Sequence, residues 1–131
     1  ARPLPRSDAQ LAALAAARCA EELQRAEARA DFLTRLRRLM QQHLADANAQ
    51  EQVAASLSMT ARTLHRRLQL EGLSFKQLLD DMRRNAATSL LRHESMTIGD
   101  ISAKLGYQDQ ANFVRAFKRW TGITPSQFRK H

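Results

Sequence analysis

Two groups of side chains carry the chemistry that this sequence offers. Arg62, His65, Arg66 and Gln69 follow one another at i, i+3, i+4 and i+7, so on a helix they form one polar stripe. Gln110, Ala111, Val114, Arg115 and Lys118 form a second outward stripe. A guanidinium is a planar fork that donates to both acceptors of a guanine edge, and a glutamine amide pairs in a similar two-pronged way with adenine. Arg66, Arg115 and Gln110 are therefore the leading candidates for reading bases in a major groove, with Arg62 beside them on the first stripe. His65 suits a base edge or a phosphate, while Ala111 and Val114 suit apolar contact with a thymine methyl. Thr60, Thr63, Arg67, Asn112, Lys118 and Arg119, with the backbone N–H groups at helix starts near Thr60 and Asp109, suit phosphate oxygens and the setting of register.

Bulk charge agrees with a polyanionic partner. In 131 residues there are 21 Lys and Arg against 13 Asp and Glu, a formal charge of +8, and only 5% aromatic residues. Such a balance suits nucleic acid or an anionic membrane surface. The longest apolar run, Leu11 to Ala17, is far short of the roughly 20 residues that span a bilayer, so no membrane partner is expected. No paired acid and base, activated nucleophile or Gly-rich phosphate loop is present, and His65 and Glu71 share no site, so an enzyme is not expected. His43, His65, His93 and His131 lie apart without metal-ligand spacing, so neither a metal nor another cofactor is expected. Cys19 is the single cysteine and reads as a buried or half-buried small apolar residue. Phe113, Phe117, Trp120 and Phe128 read as core rather than as platforms for single-stranded bases.

The elements that must position these stripes are all helical. Only four Gly and three Pro punctuate the chain, and no strand-like alternation occurs. Residues 1–7 read as a tail, with Ser7 or Asp8 capping an Ala-rich helix to about Ala30. A second helix is expected from Asp31, with Phe32, Leu33, Leu36, Leu39, Met40 and Leu44 on one face and Arg35, Arg37 and Arg38 on the other. After a polar connection at residues 46–49, Gln50 to Leu57 forms a short helix that buries Val53, Ala54 and Leu57. Ser58, Met59 and Thr60 break it, Thr60 caps the next helix, and Gly72 stops that one. From Ser74 to about Glu94 a single apolar face, Phe75, Leu78, Leu79, Met82, Ala86, Leu90 and Leu91, marks a long connector. Thr97 then caps a short helix with Ile98, Ile101 and Leu105; Gly106, Tyr107 and Gln108 turn; Asp109 caps a helix that stops at Gly122.

This arrangement is duplicated. Val53, Leu57, Leu64, Leu68, Gly72 and Phe75 answer to Ile101, Leu105, Phe113, Phe117, Gly122 and Pro125 at an offset of about 48 to 50 residues. In a helix-turn-helix the second helix enters the major groove, so one side must be apolar and the other must carry donors. Ala61, Leu64 and Leu68 face inward in the first copy, and Phe113, Phe117 and Trp120 in the second. A basic helical adaptor for an acidic protein, without DNA specificity, is the competing reading, and an amphipathic membrane-surface protein is a further one. Neither accounts for two copies of one turn-and-cap pattern.

The run Ala103-x-Leu105-Gly106-Tyr107-x-Asp109-Gln110-Ala111-Asn112-Phe113-x-Arg115-Ala116-Phe117-Lys118-Arg119-Trp120-x-Gly122-Ile123-Thr124-Pro125-x-x-Phe128-Arg129 closely resembles the signature of AraC/XylS-type transcription regulators. So does Val53-Ala54-x-x-Leu57-x-Met59-Thr60-x-Arg62-Thr63-Leu64-His65-Arg66-Arg67-Leu68 with Glu71-Gly72-x-Ser74-Phe75, and the likeness covers roughly residues 32–129. It departs from the family at Leu68, where Phe is frequent, and at Ala111, where a hydroxyl residue is common. The resemblance implies a homeodomain-like, AraC-type unit of seven helices: two helix-turn-helix subdomains (about 50–72 and 97–122) joined by a connector helix (74–94) and inserted into successive major grooves. It also implies base contacts from positions matching Arg62, His65, Arg66, Gln110, Ala111 and Arg115. Residues 31–131 would then be the DNA-binding domain, and residues 1–30 a linker or helical extension from a missing N-terminal domain. The implied partners are double-stranded promoter DNA and RNA polymerase in a bacterial cytoplasm, at the nucleoid. Activation is the expected sign of regulation; the fragment is expected to be monomeric, with dimerisation left to the longer protein.

Overall fold

From residue 6 to residue 71 the chain contains neither Gly nor Pro, and the first helix runs much further than its capping signals suggest. In a computed structural model, which describes the backbone of residues 6–131 and the side chains of 8–131, α1 spans Arg6–Gln42 without interruption. The helix boundary expected at Asp31 is absent. Thr34, which could have helped start a new helix, instead donates its hydroxyl to the Ala30 carbonyl at 2.8 Å and so stays inside the ladder. Ser7 and Asp8 likewise fall within the first turn of α1, so of the tail expected at residues 1–7 Arg6 and Ser7 are helical, and residues 1–5 lie outside the described residues.

Every residue from Asp8 to Asp31 is exposed, Leu11, Leu14 and Leu23 among them. Cys19 is exposed too, against the burial expected of it. Its type favours an interior, but no neighbouring element covers that part of the helix. Further on, Phe32, Leu36, Met40 and Leu44 are buried. The chain forms two units, one ending at Arg37 and the other Arg38–His131.

The second unit holds α2 (Ala49–Ser56), α3 (Ala61–Leu70), α4 (Phe75–Leu91), α5 (Ile98–Lys104), α6 (Gln110–Thr121) and α7 (Pro125–Lys130), and no strand occurs among the described residues. Each helix starts where its chemistry dictates. The hydroxyls of Thr60, Ser74, Thr97 and Thr124 accept from Thr63, Gln77, Asp100 and Gln127 N–H groups, and the Asp109 carboxylate accepts from Asn112. Thr97 with Asp100 and Thr124 with Gln127 close reciprocal capping boxes. The last of these, with Pro125 at the first helical position, builds α7, which apolar periodicity had not marked. At the end of α3, Gly72 takes φ 71° while Leu73 N–H donates to Leu68 C=O at 2.8 Å and Gly72 N–H to Gln69 C=O at 3.0 Å. The turn after α2 uses Ser58 at φ 59° in the same left-handed way.

α2 packs on α3, and α4 supports α5, α6 and α7. Val53, Ala54, Leu64 and Leu68 are wholly buried, while Leu57, Ala61 and Trp120 are half-buried. The second helix-turn-helix is heavily aromatic: Phe113 lies 5.6 Å from Tyr107 and 5.9 Å from Phe117, and Phe117 meets Phe128 edge-on at 5.7 Å between centroids. Such pairs add about 0.5–1.5 kcal/mol each beyond area burial. The Trp120 indole N–H is buried without a hydrogen-bond partner.

Two arginines tie helix ends together across long stretches of sequence. Arg83 Nε donates to Leu44 C=O at 3.1 Å, just past the end of α1. Arg129 Nε donates to Leu91 C=O at 3.0 Å, and its Nη2 to His93 C=O at 3.2 Å, at the end of α4. Leu91 C=O is one of the carbonyls that the end of α4 leaves without a helical partner, while Leu44 lies two residues past the end of α1 and His93 C=O also accepts from Met96 N–H at 3.2 Å.

Gly106 distinguishes conformational from steric demand. It sits at φ 87°, and a Cβ there would lie 2.1 Å from the Ala45 carbonyl oxygen. Gly72 has a similar φ but nothing within 4 Å. Gly106→Ala is expected to cost about 3 kcal/mol or more, combining backbone strain with a backbone clash, and Gly72→Ala about 1 kcal/mol from strain alone. Urea unfolding of both variants checks the difference.

Candidate nucleic-acid interface

A recognition helix needs a face that the core does not claim, and α3 and α6 each have one. On α3, Leu64 and Leu68 are wholly buried, whereas Arg62, Thr63, His65, Arg66, Arg67 and Gln69 are exposed. On α6, Phe113, Ala116 and Phe117 are buried, and Gln110, Ala111, Arg115, Lys118 and Arg119 are exposed, with Val114 and Asn112 between the extremes. Every base-reading or phosphate-holding candidate thus has solvent access, and none is withdrawn into the core.

Hydrogen bonds divide these residues by task. Thr60 Oγ1 accepts from Thr63 N–H at 3.1 Å and donates to Thr63 Oγ1 at 3.0 Å. Its proton and one lone pair are committed to the cap, so Thr60 orients, and the Thr63 hydroxyl proton is the one directed elsewhere. Arg115 Nη2 donates to Asn112 Oδ1. Asn112 thus holds the Arg115 guanidinium, one turn along the helix, through its amide oxygen, and its Nδ2 protons remain donors. Gln110 lies against Gly99 of α5: its Oε1 is 3.3 Å from where a Cβ on Gly99 would sit.

The two helix starts differ electrostatically. α3 begins with a neutral threonine cap, leaving its positive dipole end uncompensated, whereas α6 begins with the Asp109 carboxylate, which accepts from Asn112 N–H at 2.7 Å. An anion is drawn to the start of α3 by the backbone itself. At α6 that attraction must come from side chains: Arg115 is the nearest cation along the helix, while Lys118 and Arg119 fall in its last turn.

Spacing rules did not single out Arg83 or Tyr107. Tyr107 follows Gly106 in the turn before α6, and the Arg83 guanidinium stands 5.8 Å from its ring centroid. Burial pushes the Tyr107 hydroxyl above its ordinary range, and the positive charge of Arg83 opposes that shift. One signal was available: Arg83 and Arg129 are 46 residues apart and the carbonyls they bind, at Leu44 and Leu91, are 47 apart, close to the spacing of the repeat. Among the described residues no cluster of His, Cys, Asp and Glu could hold a metal ion, and no helix is long and apolar enough to cross a membrane.

A helix-turn-helix domain family matches residues 53–131. The chain belongs to the AraC/XylS-type helix-turn-helix family. Its relatives include an HTH-type transcriptional regulator of Mycobacterium tuberculosis, 36% identical over 98% of this chain and 37% of that protein. Another is the ornithine utilization regulator of Pseudomonas aeruginosa, 33% identical over 98% of this chain and 38% of that protein. The chain therefore spans under two-fifths of the length of the curated relatives it matches. A solved structure, the DNA-binding domain of the global transcriptional factor AdpA in complex with a target DNA, aligns with TM-score 0.65 and 25% identity. That alignment covers 75% of this chain and 89% of the other. This AraC/XylS-type domain has the family's two helix-turn-helix subdomains and its connector, α4, and carries the family's DNA-binding role.

Gly99 offers a test of how Gln110 is held. Gly99→Ala is expected to stabilise α5 by about 0.5–1 kcal/mol through lower unfolded-state entropy while moving the Gln110 amide by a few tenths of an ångström. A rise in melting temperature, with a shift of the Gln110 side-chain amide resonances and of few others, is the expected pair of readings.

Proposed function

We propose that this chain is the duplex-reading part of a transcription regulator, with α3 and α6 occupying successive major grooves on one side of double-stranded promoter DNA. The observation that carries this reading is the duplicated two-faced helix, apolar and buried on one side, with arginine and amide groups exposed on the other. Arg62, His65, Arg66, Gln110, Ala111, Val114 and Arg115 contact bases. Thr60, Thr63, Arg67, Asn112, Lys118 and Arg119 contact phosphates, with Thr60 and Asn112 also orienting Thr63 and Arg115. α4 has 17 residues, which at 1.5 Å per residue is about 25 Å. This is shorter than the roughly 34 Å between grooves one turn apart, so the duplex bends modestly to meet both helices.

Residues 31–131 form the DNA-binding domain, and residues 1–30 a helical extension leading from an effector-binding or dimerisation domain in the longer protein. The isolated domain is monomeric. The whole regulator works in a bacterial cytoplasm, at the nucleoid, and activates transcription by recruiting RNA polymerase. It carries no catalytic centre.

Selection from a random duplex library followed by footprinting tests the reading directly, with a protected site of about 20 base pairs bound at nanomolar strength as the expected result. Arg66→Ala and Arg115→Ala should each cost about 1–3 kcal/mol on the selected site and relax preference at one position, while Lys118→Ala weakens all duplexes alike. Equal losses on random and selected duplexes for Arg66→Ala and Arg115→Ala would remove the base-reading roles. No enrichment of any sequence, with retained binding to an acidic protein, would favour an adaptor.

A further inference from the structure

Beside α6 lies a cleft of about 460 Å³, and of the residues that border it Arg83, Tyr107 and Gln108 have so far been given no part in binding DNA. Arg83 from α4, Tyr107 and Gln108 from the turn, and Asn112, Arg115 and Arg119 from α6 line it, and no Asp or Glu does. Three guanidinium groups thus border one small volume without a carboxylate among them. Two are already fixed: Arg83 by its bond to Leu44 C=O and its place over the Tyr107 ring, and Arg115 by Asn112. Arg119 is exposed and is in none of the ion pairs found among the described residues. Charges of one sign brought together in a partly enclosed space repel one another until an anion enters, and fixing them beforehand lowers the entropic cost of binding that anion. A planar guanidinium fork matches the oxygens of a phosphate group, and an array of three suits phosphate better than a single carboxylate.

We propose that this cleft is a phosphate-binding site, filled by one backbone phosphodiester of the duplex whose bases α6 reads, with Arg119 as its principal donor and Arg83 and Tyr107 as its wall. The inference rests on the DNA-reading function proposed above. It brings the connector helix into the contact, so that α4 touches the nucleic acid through a residue outside both recognition helices. Arg119 follows Arg115 by one helical turn, which puts the bound phosphate next to the base that Arg115 contacts. The site holds register and carries no base preference.

The test uses the full chain, Arg119→Gln, and Gln108→Glu, which adds a carboxylate at the cleft without removing an arginine. Duplexes carrying a neutral methylphosphonate at one position at a time are scanned around the α6 half of the selected site. Wild type should lose about tenfold in affinity at the one phosphate that fills the cleft, apart from any loss at the phosphate that Lys118 contacts. Arg119→Gln should lose a similar factor on the unmodified duplex, lose nothing further at that one phosphate, and keep the ratio of selected to random binding. Both variants should flatten the dependence of log K on log salt by about one unit. Losses that add at every position, an unchanged salt slope, or an altered base preference would overturn the proposal. Pyrophosphate or ATP displacing the duplex at constant ionic strength, and shifting the Tyr107 resonances at micromolar concentration, would assign the cleft to a soluble phosphate compound and overturn the DNA assignment. If wild type discriminates among no duplexes at all, it is the DNA-reading function that fails, so the two failures are distinct.

Discussion

The fold turns on how two helix ends are closed. A helix finishes with carbonyls that its own backbone cannot satisfy, and here the group that satisfies them comes from one whole module further along the chain. Arg83 fastens the turn just after α1 at Leu44, and Arg129 closes α4 at Leu91. Each module is thus a leading helix, a helix-turn-helix, and a trailing helix whose arginine reaches back to the leader. α4 trails the first module and leads the second, so one helix serves both. Gly106 reinforces the linkage, because the second module's turn lies against the Ala45 backbone too closely for any side chain.

Within that frame α3 and α6 are built from different materials. α3 rests on aliphatic Leu64 and Leu68 and begins with a neutral cap. α6 rests on Phe113 and Phe117 within an aromatic group and begins with a carboxylate. The dipole and the side chains share the attraction for anions at α3, whereas at α6 arginine and lysine supply it alone. Asn112 then limits where Arg115 rests, which reduces the freedom that side chain must give up when it meets a partner.

Local rules were enough for most of this. Thr60, Ser74, Thr97 and Asp109 mark helix starts because hydroxyl and carboxylate oxygens capture N–H groups three residues on, and Gly72 and Gly122 mark ends because the left-handed conformation suits them. The exposed faces followed from period 3.6. What stayed hidden depends on distant neighbours. Asp31 and Thr34 resemble a helix start, yet without Gly or Pro nothing obliges the chain to stop there. Cys19 is apolar in type, but burial needs a covering element. Leu91 and Leu44 show no sign in their own surroundings that Arg129 and Arg83 will bond to them. The cleft beside α6 gathers residues from α4, a turn and α6, and no sequence window contains all three.

Because α4 is a member of both modules, its length works as a phase angle. Adding or deleting one residue within it would turn everything that follows by about 100° and slide it by about 1.5 Å. Insertions in the bends around Asp46 or Met96 leave that helical phase untouched. The connector should therefore tolerate exchange of its exposed side chains far better than any change in residue number.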